Sequence, residues 1–437
     1  MTAAGAQTLP KARPAPEPLP VSGPPYLLGL VLAGLWGIGQ HLPQQEFYVF
    51  GIGPGDFLFL AYCAAALALS WHRWTVFRSL GGLRSFALLV VAFVALGLLS
   101  GTVNALRTGM VEKDLVETVR PLYYVLITAF TAAWVARYPS GQLIIAFLAG
   151  VVIVALTNLF HEAPAGIRLL GFHTMYNPNM MANMLGIGTF LASLLVLDGR
   201  FRAATLFMAL FVPLSLFTYS KGGWLMVLVG LAAALTAFLG TGRGQRSPRR
   251  SSPAWMYTVI AAFVVGAAIA GPLILALVRF KLETTQFADT AAEGSTIAQR
   301  WGYVVASVRM AIDHPLVGVG ISNYEAEYDR LSEFLGASYF PTDNPHSAFL
   351  YILACMGVPA LGVFLSALVL PFMKLWYIVP LRSLSRAMYI ALAVTVFLVS
   401  GSVQLQLISQ PFWWFFAGIV FGWARRQVVV RERRPAT

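Results

Sequence analysis

Residues 342–373 read TDNPHSAFLYILACMGVPALGVFLSALVLPFM, a short polar turn followed by an apolar run long enough to cross a bilayer. The turn closes the one long hydrophilic interruption, Arg279 to Pro345, in a chain that otherwise reads as membrane from Pro25 to Trp423. A histidine, His346, therefore stands at the mouth of a membrane helix, after a loop rich in cations and aromatic residues.

Composition supports the membrane reading. Hydrophobic residues make up 58% of the chain and charged residues 11%, with mean hydropathy +0.72; soluble domains are nearer ~25% charged. Residues 1–24 are rich in Pro and Ala and lack an apolar core. They read as a disordered cytoplasmic lead and not as a cleavable signal peptide. The two cysteines, Cys63 and Cys355, both fall in apolar runs, where packing is their expected role.

Runs of roughly 20 apolar residues predict an all-α integral membrane protein with about twelve spans, near 26–42, 56–71, 85–105, 121–136, 141–160, 180–197, 203–218, 223–240, 255–278, 347–373, 387–404 and 410–424. The expected layout is a polytopic membrane domain over 25–424 and a basic cytoplasmic tail over 425–437. Cytoplasmic loops concentrate Lys and Arg. With both termini inside, most of the 30 lysines and arginines fall on the inner side, and the loop 279–345 becomes a large, partly helical outer loop. The net charge of +12 is then mostly topology, with basic segments suited to anionic membrane lipids and no sign of a nucleic-acid surface.

The cations left outside are Arg107, Lys113, Arg120, Arg168, Lys221, Arg279, Lys281, Arg300, Arg309 and Arg330. Most need no explanation beyond solvation. No Asp, Glu, Lys or Arg falls in the middle of a predicted span, which counts against an ion-coupled transporter.

Three motifs fall at predicted outer ends. Tyr219-Ser220-Lys221-Gly222-Gly223-Trp224 reads as a tight turn, with Lys221 snorkelling or holding an anion. Ser295 to Trp301 opens an amphipathic helix. Its face Ile297, Trp301, Val304, Val308, Ile312 would lie on the membrane or on the bundle, and His314-Pro315 ends it. Gly318-Val319-Gly320 is too short, and on the wrong side, for a nucleotide loop. Asn344-Pro345-His346-Ser347 predicts Asn344 as helix cap, Pro345 as first helical residue and His346 in the first turn, where the helix dipole favours a neutral imidazole.

Two outer cations and one base suit a particular chemistry. Lys221 and Arg300 would stabilise a leaving diphosphate, and His346 would deprotonate an attacking hydroxyl. No acidic cluster suggests a metal, and no cofactor is expected.

At these residues the chain resembles the O-antigen ligase family, whose shared domain also includes O-antigen and exopolysaccharide polymerases. The resemblance runs from about Met175 to Gly362. It is carried by Asn177-Pro178-Asn179, by Arg300-Trp301 with Met310-Ala311-Ile312-Asp313-His314-Pro315-Leu316-Val317-Gly318-Val319-Gly320, and by His346-Ser347 followed by Gly357. It implies that Lys221 and Arg300 hold the diphosphate of an undecaprenyl-linked glycan and that His346 activates a lipid or glycan hydroxyl acceptor. The family more often has arginine at the first basic position, and Gly, Thr or Tyr where Ala360 stands.

The expectation is a metal-independent, inverting glycosyltransferase of a bacterial inner membrane, with its active site on the outer face. Arg120, Arg168 and Tyr219 are weaker supporting candidates. A repeat-unit polymerase is the alternative enzyme. A lipid-linked glycan flippase or exporter is the rival from another class, and it would require a cationic cavity at mid-membrane.

Overall fold

The structure, a computed structural model, describes residues 24–38, 57–61, 81–108, 112–159, 178–197, 204–217, 226–227, 296–336, 342, 344–378 and 411–432. Among these there are helices and connecting turns and no strand. In chain order the helices are α1 (Pro24–Ile38), α2 (Gly81–Thr108), α3 (Glu112–Arg137), α4 (Ser140–Leu159), α5 (Pro178–Leu197), α6 (Ala204–Phe217), α7 (Thr296–Asp313), α8 (Tyr324–Arg330), α9 (Ser332–Leu335), α10 (Ala348–Ile378) and α11 (Pro411–Glu432).

Three of the described helices are long and apolar enough to cross a membrane, over 83–106, 118–137 and 348–374. Shorter apolar helices cover 26–38, 140–156, 181–192 and 206–215. The protein is thus an all-helical membrane protein over the described residues. The predicted spans 255–278 and 387–404, nearly all of 223–240 and most of 56–71 lie outside them.

Two boundaries differ from the sequence reading. α3 begins at Glu112 and carries Arg120 and Pro121 inside it, where the hydropathy trace started a span at 121. Apolar content locates a span, but helical hydrogen bonding continues into the polar residues before it. α11 likewise runs on through Arg425 and Arg426 to Glu432, into the expected tail.

α11 packs against α3, α10 against α2, and α7 against α10. Aromatic residues fill the first interface. Tyr124 stacks on Trp414 at 5.4 Å between ring centroids, and the Thr128 hydroxyl donates to the Trp414 carbonyl at 3.0 Å.

The feature that organises the functional end is a break in α10. Gly357 has φ 84° and ψ 177° and divides the helix into two pieces. Pro359 has no N–H, so it cannot bond back to Cys355. The carbonyls set free are satisfied by the segment after α7. Val319 N–H donates to Ala354 O and Gly320 N–H to Cys355 O, both at 2.9 Å, and Val358 N–H donates to Pro315 O at 2.9 Å. Side chains complete the set: Ser100 Oγ donates to Cys355 O at 2.8 Å, Asn104 Nδ2 to Gly318 O at 3.3 Å and Asn323 Nδ2 to Val319 O at 3.0 Å.

Non-helical backbone at membrane depth is tolerated only when such partners exist. The two backbones meet with no room for side chains. A Cβ on Gly318 (φ 64°) would lie 2.3 Å from Cys355 C, and one on Gly357 would lie 2.7 Å from Leu316 C. The Gly-Val-Gly run is therefore a docking element, in keeping with the rejection of a nucleotide loop.

These contacts also set the depth of α7. Tyr303 meets His346 at the start of α10, while Pro315, just past the end of α7, meets Val358. Ala348 to Val358 descends about 15 Å, roughly half of a hydrocarbon core. α7, the amphipathic helix that the sequence placed on the membrane or on the bundle, therefore runs beside the first part of a candidate span.

Gly318→Ala and Gly357→Ala should each cost more than about 2 kcal/mol, from left-handed strain plus backbone overlap. Gly362→Ala, where a Cβ meets nothing within 4 Å, should be neutral or slightly stabilising. Thermal unfolding of the purified variants in detergent checks this; a Gly357→Ala protein as stable as Gly362→Ala would refute the docking account.

Candidate functional site

The site is assembled where the start of α7 meets the turn before α10. Arg300 lies in the first turns of α7 and is exposed. One helical turn on, Tyr303 is buried and places its ring edge-on to His346, with centroids 5.7 Å apart and planes at 60°. The Tyr303 hydroxyl hydrogen-bonds the Thr342 side chain. Burial pushes the Tyr303 phenol above the usual tyrosine range, with the Thr342 hydrogen bond and the Arg300 charge pulling the other way. Tyr303 thus stays a neutral hydroxyl with a fixed partner.

The turn that carries His346 is built by side chains binding nearby backbone. Thr342 Oγ1 donates to Asn344 O at 2.7 Å and accepts from Asn344 N–H at 3.3 Å. Asn344 Oδ1 accepts the His346 N–H at 3.0 Å. This is the local bonding through which Thr and Asn favour turns.

It also corrects the expected cap. α10 begins at Ala348, and Ser347 caps it, its Oγ accepting from Leu350 N–H at 3.4 Å. Asn344 closes the preceding turn instead, and His346 stands outside the helix with φ 51°. The reason is the side-chain reach: Asn344 bonds two residues ahead, which bends the chain before Pro345-His346 can enter helical geometry. His346 is the only non-glycine residue with positive φ among the described residues. A left-handed histidine costs about 1–2 kcal/mol, so the surrounding turn holds it there.

Behind the turn lies a cluster of tyrosines that sequence reasoning missed. Tyr303 meets Tyr328 at 5.8 Å, Tyr324 stacks on Tyr328 at 6.1 Å, and Tyr324 meets Tyr351 of α10 at 5.7 Å. Tyr324 Oη and Ser307 Oγ lie 3.4 Å apart, and burial drives the Tyr324 phenol well above its ordinary range. Within the loop, α8 and α9 pack the wall behind His346. The available signal was Tyr303, Ala306, Ser307 and Met310, spaced along one helix face and all buried.

The remaining site candidates are distributed as follows. Tyr219, Lys221 and Arg168 lie outside the described residues. Arg120 is half-buried in α3, two residues past Thr118. A Cβ added at Gly97 of α2 would meet both Thr118 and Met356 of α10 at 2.5 Å. Thr118 thus lies near the α10 break at Met356, and Arg120 follows it in α3. Arg309 and Arg330 pair locally with Asp313 (3.1 Å) and Glu327 (3.0 Å), as ordinary exposed ion pairs. Among the described residues no three His, Cys, Asp or Glu side chains come together to hold a metal.

His346→Gly should be more stable than His346→Ala by about 1 kcal/mol, since both lack the ring and only alanine retains the left-handed penalty. Paired denaturation curves test this; equal stabilities would mean that the turn relaxes freely.

Residues 203–365 match the family model described as O-antigen ligase, an interval that contains Tyr219, Lys221, Arg300 and His346. No curated protein matches the chain. Over residues 203–365 the chain is therefore similar to the O-antigen ligase family.

Proposed function

We propose that this protein transfers a glycan from undecaprenyl diphosphate to a hydroxyl acceptor on the outer face of a bacterial inner membrane. The observation that carries this reading is the placement of an exposed cation and a strained, exposed histidine around one buried tyrosine, inside the matched interval.

The reaction is a single displacement. His346 takes the proton of the acceptor hydroxyl as its oxygen forms a bond to the anomeric carbon. The bond from that carbon to the diphosphate oxygen breaks, and the electron pair leaves with undecaprenyl diphosphate. One displacement inverts the anomeric centre. Arg300, from the described site, and Lys221, from its sequence position, stabilise the charge that develops on the leaving group. Arg300 offers a planar fork to phosphate oxygens, which a lysine cannot match. In this reading basic side chains take the part a metal would play, and no cofactor is needed.

His346→Ala and Arg300→Ala should each lower transfer by at least about 100-fold while membrane insertion and the unfolding midpoint stay close to wild type. Arg300→Lys should recover part of the loss. The assay is transfer from a defined undecaprenyl-diphosphate glycan, run with and without chelator. Unimpaired transfer by His346→Ala would remove the assignment. A ligase and a repeat-unit polymerase are separated in cells lacking the protein: long glycans stay on the lipid carrier in the first case, single repeat units in the second.

A further inference from the structure

Arg300 and His346 stand on different segments, one on α7 and one on the turn before α10, and a single hydroxyl joins the two. Thr342 Oγ1 donates to Asn344 O at 2.7 Å, accepts the Asn344 N–H at 3.3 Å and shares a hydrogen bond with the Tyr303 hydroxyl. A threonine hydroxyl has one hydrogen and two lone pairs, so these three bonds use its full capacity. Two of them close the turn in which His346 sits. The third anchors that turn on α7.

Tyr303 is a firm anchor. α7 keeps Tyr303, Ala306, Ser307 and Met310 buried and leaves Trp301 and Ile312 exposed, so Tyr303 lies on the face that packs. Its ring meets Tyr328, and Tyr328 stacks on Tyr324, which meets Tyr351 of α10. The His346 ring is edge-on to the same Tyr303 ring. Tyr303 thus holds His346 twice, by its ring directly and by its hydroxyl through Thr342. Arg300 lies one helical turn earlier on α7, near enough for its charge to bear on the Tyr303 phenol. Whatever fixes His346 to Tyr303 therefore also fixes it to the cation.

We infer that Tyr303 and Thr342 are positioning residues, whose hydroxyl–hydroxyl bond sets the His346 imidazole at a fixed place relative to the Arg300 guanidinium. The inference rests on the proposed glycosyl transfer and names what holds its base. Tyr303 is only 6% exposed, so it works through its neighbours and does not touch substrate. His346 has φ 51°, a conformation that persists only where the surroundings over-determine it. The bonds inside the turn fix its shape but not its place against α7; the bond to Tyr303 supplies that place. In a single displacement the acceptor oxygen lines up with the leaving diphosphate, so a misplaced base slows transfer and leaves donor binding as it was.

Three substitutions separate these bonds. Tyr303→Phe removes the link to α7 and keeps the ring contact, Thr342→Val removes the link and opens the turn, and Thr342→Ser can keep all three bonds. The test uses the full-length protein in nanodiscs. Hydrogen exchange read by mass spectrometry should be at least about threefold faster over Asn344–His346 in Tyr303→Phe, faster still in Thr342→Val, and close to wild type in Thr342→Ser. The kcat of transfer should fall about tenfold in Tyr303→Phe and further in Thr342→Val, with donor KM within about twofold, and Thr342→Ser should restore it. A double-mutant cycle separates positioning from general damage: in the His346→Ala background, Tyr303→Phe should cost less than about twofold, because the residue it positions is gone. The same tenfold loss in both backgrounds, or unchanged exchange in Tyr303→Phe, would overturn the inference. If His346→Ala transfers as well as wild type, the base assignment fails by itself, and the exchange rates still decide whether the Tyr303–Thr342 bond holds the turn.

Discussion

Two N–H groups and two carbonyls hold the functional end together. Val319 and Gly320 donate to Ala354 and Cys355, and through those bonds the segment after α7 becomes the missing turn of a broken membrane helix. A buried carbonyl without a partner costs several kcal/mol in hydrocarbon, so α10 cannot break at Gly357 unless Pro315–Gly320 is docked. The reverse also holds, because the segment has no other partner for its own N–H groups at that depth. Neither element is stable in this form alone. Their mutual requirement fixes the depth of α7, and hence the height at which Arg300 and Tyr303 reach the mouth of α10.

Strain appears where that arrangement meets the chemistry. The turn Thr342–Ser347 is closed by its own side chains, which press His346 into a left-handed conformation that a helix start would have avoided. A histidine in the first turn of α10 would have presented its imidazole along the helix. Held one residue before the cap, it leans its ring edge-on to Tyr303 and remains exposed. The tyrosines behind it, anchored between α7, α8 and α10, leave the ring little freedom to move inward. An exposed side chain with its backbone over-determined is the arrangement a proton acceptor needs when its substrate arrives from outside the protein.

Much of the site was legible in the residues. Arg300 and His346 stood out as an outward cation and a base at a helix mouth, and both fall in the assembled site and in the matched family interval. The end of α7 at His314-Pro315 was readable from proline sterics, and the start of α5 at Pro178 follows the same logic. Tyr303 was not readable, because a tyrosine at helical spacing says nothing about which residue distant in sequence it will meet. Ser347 lost out to Asn344 as the expected cap, since both are good caps and only the turn geometry chooses between them.

The sequence by itself determined that this is a helical membrane protein. Hydropathy and the scarcity of charge are sums over local composition, so they need no knowledge of contacts to declare a membrane bundle. The tertiary structure alone decided depth and facing. Whether the apolar stripe of α7 covers the bundle or turns away from it depends on which of two apolar faces finds a partner. That was settled by Tyr303, Ala306 and Met310 packing against α10, with backbone bonds across the Gly357 break locking the choice. Helical periodicity marks a face as apolar; only the neighbour that packs against the helix decides which way that face turns.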